Sequence, residues 1–301
     1  MKKTTTLFFT LLIVFFFSCK EKVTVEELKK FAATENFPND VFLDSVKVKR
    51  ALIISAHDDD DCFMAGTIFK LKQKGWEIEQ WTLQTTPLEE GHLTHPSMVI
   101  CNGNKPILED GHYRNVNPHD STREVYLPIP RDQFAEVFET DKVKTVLEKK
   151  INLYKPTVVF SMDNEMGGYG NPEHVFICQI IVDLFQENKI PISRIYQGVA
   201  TNSMEEKIIV KHLSPQLKKW GYPNPYLIGR EVYKIDGIPE PNVQVNIQDY
   251  ADGKMRYLMA YSEDAKKNMR KFIPYYEDFD AKTYFSIFNK EFFRVIEKQQ
   301  R

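Results

Sequence analysis

The residues best placed to do chemistry are Ala56-His57-Asp58-Asp59-Asp60-Asp61, which put one imidazole beside four carboxylates. Such a knot fits two roles. An Asp-rich turn caps a following helix, because its negative charge is favoured at the positive end of the helix dipole. Alternatively, His57 and Asp60, on one tight turn, offer a nitrogen and an oxygen to a small cation that offsets the repulsion among the acids. A second cluster, Asn171-Pro172-Glu173-His174, follows Gly167-Gly168-Tyr169-Gly170. Glycines let the backbone turn sharply and approach a ligand, and Pro172 suits the first position of a helix. His174 then projects from the first helical turn, where a lone histidine serves equally as a surface or capping residue. Taken together, His57, Asp60 and His174 supply two imidazoles and a carboxylate. With a water in the fourth position, that is the layout of a hydrolytic zinc centre.

Both clusters depend on the elements before and after them. Ala51–Ser55 is apolar on both faces and too short for a helix, so it reads as a central strand of a parallel sheet. Cys62–Lys74 has a helical rhythm that ends at Gly75. Pro156–Ser161 repeats the buried-strand pattern, and Val175–Val182 continues the second cluster as an apolar helix. Open α/β sheets hold ligands beyond the carboxyl ends of their strands, which is where both clusters fall. Trp76–Leu83 reads as a second strand and Arg194–Ala200 as another. Between them, Val143, Val146, Leu147, Ile151 and Leu153 mark a helix packed on the sheet and ended before Pro156. Ser203–Val210 is expected to extend the sheet as a short hairpin-like piece, Tyr250–Phe272 to be helical, and the apolar tail from Tyr275 to Phe288 to dock on the domain. The fold class is α/β, a Rossmann-like three-layer sandwich with a mostly parallel sheet. No internal repeat and no dinucleotide fingerprint is present.

These motifs resemble those of the PIG-L/LmbE-like family of zinc-dependent de-N-acetylases, which carry His-Pro-Asp-Asp-Glu after the first strand and His-Pro-Asp-His downstream. Here the first motif reads His57-Asp58-Asp59-Asp60-Asp61, and the second Asn171-Pro172-Glu173-His174. The resemblance implies an LmbE-like fold, His57, Asp60 and His174 as ligands of Zn2+ or another divalent metal, and Asp59 as the catalytic base. It places Asn171 where the family has a histidine that helps stabilise the tetrahedral intermediate. Asparagine donates a hydrogen bond but carries no proton. A further family histidine aligns weakly with Tyr261. The resemblance spans about Lys49 to Val199.

The amino terminus has Lys2 and Lys3, the apolar run Leu7–Phe17, then Ser18-Cys19. This is the pattern of a secretory signal, and it resembles the lipobox of bacterial lipoproteins, with cleavage before a lipidated Cys19. The run is shorter than the ~20 residues of a membrane span. The expected organisation is a signal peptide at 1–18, a tether and opening helix at 19–48, and a deacetylase domain at 49–301. That domain includes a long loop at 84–130 and a C-terminal extension at 203–301. The expected location is the bacterial cell envelope, with the lipid anchor as the only membrane contact. Removing residues 1–18, which carry two lysines and no acid, takes the formal net charge from −2 to −4. So mild an acidic balance gives no nucleic-acid footprint. Cys62, Cys101 and Cys178 then remain, an odd number that argues against a disulfide framework.

The long loop holds His92, His95, His112 and His119, any of which could be a further ligand or a substitute acid. Trp220, Tyr222, Tyr226 and Tyr233 could stack on sugar faces or pack a lid. The expected activity is metal-dependent hydrolysis of an amide, removing an acetyl group from an N-acetylated sugar or glycoconjugate. The alternative is a catalytically impaired surface glycan-binding lipoprotein that keeps the metal, for which Asn171 and Tyr261 speak.

Overall fold

A single sheet of seven strands organises the chain, in the order β3-β2-β1-β4-β5-β7-β6. The structure is a computed structural model that describes residues 23–85, 94–115 and 127–298. β1 (Arg50–Ser55), β2 (Glu77–Thr82), β3 (Asn104–Pro106), β4 (Val158–Met162) and β5 (Arg194–Gly198) run parallel. β7 (Lys290–Glu297) is antiparallel to β5, and β6 (Val243–Asn246) is antiparallel to β7.

β1 and β4 are buried on both faces, which is why their sequences are unbroken apolar runs. Leu52 and Ile54 point into one layer with Val143, Leu147, Ile151 and Val175, from the helices Thr140–Tyr154 and Pro172–Gln186. Ala51 and Ile53 point into the other with Ile68, Leu71, Tyr257 and Leu258, from the helices Ala65–Gln73 and Ala251–Met259. The expected three-layer α/β sandwich is thus observed. The chain leaves β1 toward β2 on one side, while β4 lies on the other, so the strand order reverses between β1 and β4. Ligands of open α/β sheets bind at this reversal.

Several expectations need correction. Ser203–Val210 does not extend the sheet. It is helical, as Asn202–Met204 followed by a π-helical stretch, Glu205–Leu213. The β-branched run Ile208-Ile209-Val210 suggested a strand, but Thr201 caps a helix whose apolar residues Ile208, Ile209 and Leu213 are the buried ones. Tyr250–Phe272 is helical as expected, divided into Ala251–Met259 and a second helix, Glu263–Phe272, capped by Ser262. Leu153 is exposed, although Val143, Leu147 and Ile151 of the same helix are buried. The antiparallel strands β6 and β7 were not anticipated. β7 also carries Glu291, whose buried carboxylate accepts the backbone N–H groups of Gly66 and Thr67 and pairs with Lys254 at 2.5 Å. Cys62, Cys101 and Cys178 are buried and unpaired. Cys19 and the signal lie outside the described residues; among the described residues no helix is long and apolar enough to cross a membrane.

Candidate metal centre

The two loops meet at the reversal point. β1 delivers His57 and Asp60, the latter at the start of a 3-10 turn, and the loop after β4 leads into the helix carrying His174. His57 Nδ1 lies 3.1 Å from His174 Nε2 and 3.5 Å from Asp60 Oδ1, and His174 Nε2 lies 3.1 Å from Asp60 Oδ1. These three residues are the group among the described residues able to hold a metal ion. Two imidazoles and a carboxylate are a donor set suited to zinc and other first-row divalent ions.

The surroundings aim the ligand atoms. His57 Nε2 faces the Glu173 carboxylate at 3.0 Å and His174 Nδ1 faces the carbonyl of Gly167 at 2.9 Å. Each of those nitrogens must carry the proton, which leaves the lone pairs of His57 Nδ1 and His174 Nε2 turned toward Asp60. Asp60 Oδ2 accepts the backbone N–H of His57 at 2.8 Å, freeing Oδ1 for the centre. Metal-binding histidines are held in this way by outer carboxylates and carbonyls.

Glu173 is fixed in turn by Arg114, whose guanidinium approaches within 2.6 Å, and by the Tyr113 hydroxyl. Burial raises its pKa, but His57 and Arg114 outweigh burial and hold it down at about 2. The Gly167 carbonyl is fixed by Asp163, which is fully buried. The Asp163 carboxylate accepts the N–H groups of Glu165, Met166, Gly167 and Gly168 at 3.0, 2.6, 3.1 and 2.8 Å. Gly167 adopts φ +60°, and a Cβ there would meet His174 Cβ at 2.7 Å, so glycine alone fits both the turn and the ligand.

The other carboxylates of the first motif take different roles. Asp58, 1 % exposed, pairs with His95 Nε2 at 2.7 Å, and its carbonyl accepts the hydroxyl of Tyr261 at 2.6 Å. Asp61 is wholly buried against the Tyr257 hydroxyl and Gln80, and burial raises its pKa well above the usual range. Asp59 alone remains part-exposed toward the cavity, and burial, reinforced by the charge of Asp60, pushes it up to about 6. That cavity of about 710 Å³ is lined by His57, Asp59, Asp60 and His174, together with Tyr169 and Phe272.

Asn171 is not on the cavity wall. Its oxygen caps the His174 helix by accepting the N–H of Glu173 at 2.8 Å, and its amide nitrogen stands 3.5 Å from the Tyr169 hydroxyl. Of the loop histidines, His95 holds Asp58 and His112 lies 3.7 Å from Glu139, both away from the metal group. His92 and His119 lie outside the described residues. The sequence reading missed Glu173, Arg114 and Asp163 as supports. Glu173 was quoted in the motif, but nothing local marks its partner, 59 residues away in the chain.

Replacing Asp163 by Asn removes the negative charge and one of the two strong acceptors from this ring of N–H groups, loosening the carbonyl that orients His174. The expected result is a folded protein whose metal affinity falls about 10–100-fold, as when an outer partner of a metal ligand is lost. Competition with a chromogenic chelator measures this, and unchanged affinity would separate Asp163 from His174.

Three solved structures illustrate the similarity. The chain is 17 % identical to N,N'-diacetylchitobiose deacetylase from Pyrococcus horikoshii, covering 83 % of this chain and 85 % of that one, with a TM-score of 0.41. It is 11 % identical to the 4-carboxy-2-hydroxymuconate hydratase from Pseudomonas putida KT2440, covering 84 % and 98 %, with a TM-score of 0.45. A deacetylase of teicoplanin biosynthesis is 12 % identical over 84 % and 100 %, with a TM-score of 0.43. Likeness at this level assigns no activity to the chain. No curated protein matches the sequence. Residues 52–185, from the first strand to the end of the His174 helix, match the PIG-L family, described as GlcNAc-PI de-N-acetylase. All three members of the candidate metal group lie inside the matched residues.

Proposed function

We propose that this protein is a zinc-dependent amide hydrolase that removes an acetyl group from an N-acetylated sugar or glycoconjugate. The observation that carries the reading is the convergence of His57 Nδ1, Asp60 Oδ1 and His174 Nε2, each with its other polar atom already engaged, beside Asp59, the part-exposed carboxylate of the first motif on the cavity wall. A divalent ion held by those three atoms supplies Lewis acidity to a water and to the amide carbonyl. The PIG-L match over the same residues supports the deacetylase class.

The chain's own groups then divide the work. Asp59, with a pKa of about 6, takes the proton from the attacking water and returns it to the departing amine. The Tyr169 hydroxyl is a neutral donor on the cavity wall, on a ring packed against His174, and donates to the oxygen on which negative charge develops. Asn171, expected from the resemblance to serve that oxygen itself, sits behind Tyr169 and positions it while capping the helix. Burial holds the Tyr169 hydroxyl far above its ordinary pKa, so it remains protonated as a donor. One observation favours the second reading, a glycan binder without turnover: Asn171 has no proton to give and none of the described loop histidines reaches the centre.

Purified protein should carry about one zinc per chain, and His174→Ala should lose most of it. Asp59→Asn should keep the ion while amine release from N-acetylated sugars falls ~10²–10⁴-fold. Full metal with no amine release in the unaltered protein would select the binding role instead. Tyr169→Phe should lower turnover ~10–10³-fold with metal retained, the usual effect of removing one oxyanion donor. An unchanged rate would leave the oxyanion to the metal alone.

For location, we propose that Cys19 is lipidated and holds the protein at the bacterial envelope, on the strength of Leu7–Phe17 followed by Ser18-Cys19. Mass spectrometry of the mature chain should find a lipidated Cys19 at its start, and an unlipidated start elsewhere would remove the anchor.

A further inference from the structure

The cavity above the metal group is lined by two unlike sets of side chains that the PIG-L region does not contain. Leu213, Leu217 and Pro223 make an apolar stretch that includes Trp220 and Tyr222. Each of these aromatics keeps 53 % of its surface exposed, whereas Tyr226 and Tyr233, farther along the same segment, are buried at 1 % and 7 %. The other set comes from the Glu263–Phe272 helix and its cap: Ser262, Asp264, Asn268 and Lys271. Asn268 Oδ1 accepts from Lys271 Nζ at 2.9 Å and Asp264 Oδ1 from Lys267 Nζ at 2.7 Å, so this side of the wall is polar and charged.

A ligand filling this space must satisfy both sets. An alkyl chain would suit the apolar set but strip water from Asp264, Asn268 and Lys271 and return no hydrogen bonds. A wholly polar ligand would desolvate two aromatic rings without contacting them through an apolar face. A pyranose has both surfaces, C–H faces that lie flat on an aromatic ring and a rim of hydroxyls that donate and accept. At about 710 Å³ the cavity is of the size that encloses most of a small ligand.

We propose that Trp220 and Tyr222 form a platform on which a sugar ring of the substrate stacks, its hydroxyls meeting Asn268, Asp264 and Lys271. This rests on the amidase reading for the direction of the acetamide, but ring binding is measurable without turnover.

The protein has three tryptophans, and Trp76 and Trp81 are buried at 4 % and 5 % exposure, so acrylamide quenching of tryptophan emission reports chiefly on Trp220. The full chain, stripped of metal by chelation, is titrated with N,N'-diacetylchitobiose and, separately, with an N-alkyl fatty amide. The saccharide should protect Trp220 from acrylamide, and the fatty amide should not. In the metal-loaded protein, Trp220→Ala should raise KM for the saccharide roughly tenfold, equivalent to about 1.4 kcal/mol, with kcat little changed, and Trp220→Phe should restore most of the loss. Protection by the fatty amide alone, or by neither ligand, overturns the platform even where acetyl groups are released, and then the amidase reading survives without it. Protection by the saccharide with no amine release supports the platform and removes the amidase reading.

Discussion

Everything at this site follows from placing four consecutive carboxylates at the end of a buried strand. Three of them, Asp58, Asp60 and Asp61, are 1 %, 8 % and 0 % exposed, and charge at that depth is tolerated only with a partner for each group. Asp58 is answered by His95 from the long connection, Asp60 by His57 and His174, and Asp61 by Tyr257 and Gln80. The partners come from β2, from the loop before β3 and from helices on both faces of the sheet. Four separate parts of the chain are thus drawn to one point by electrostatics as much as by apolar burial. Asp59, the acid left without such an answer, is the one that faces the cavity.

The meeting of His57, Asp60 and His174 was legible because their residue types are rare in apolar surroundings and their places after strands were set by short, unambiguous apolar runs. Four of the five parallel strands were legible for the same reason, whereas β3, the three residues Asn104–Pro106, lies within the stretch 84–130 that reads as a loop. What could not be read were the contacts that join distant segments. Arg114 to Glu173 and Tyr261 to the Asp58 carbonyl leave no periodic trace, because the partners lie 59 and 203 positions apart. Ser203–Val210 failed for a local reason: three β-branched or aliphatic residues in a row match a strand, and only the cap at Thr201 and the charged residues around them tip the balance to helix. β7 was missed because Lys290–Glu297 mixes charged and aromatic residues, and its place between two strands is set by pairing rather than by pattern.

Asn171 serves the site from behind the cavity wall. The position remains a helix cap, a task asparagine performs as well as any residue, and the capped helix still presents His174. The donor that reaches the cavity is its neighbour across one hydrogen bond, Tyr169, which also stacks on Phe272 from the C-terminal part of the chain.

The insertion of β7 has a consequence for how the molecule is made. β5 and β6 are joined only through this last strand, which pairs Arg194 with Glu297 and Val243 with Phe293. During synthesis the parallel half of the sheet can assemble while β5 still has an open, hydrogen-bonding edge, and that edge closes only once β7 has emerged. Glu291, arriving on the same strand, is also what satisfies the first N–H groups of the helix after the Asp knot. The half of the fold that carries the Asp knot therefore waits on β7, and a chain that stops before Lys290 leaves an exposed sheet edge able to pair with another copy.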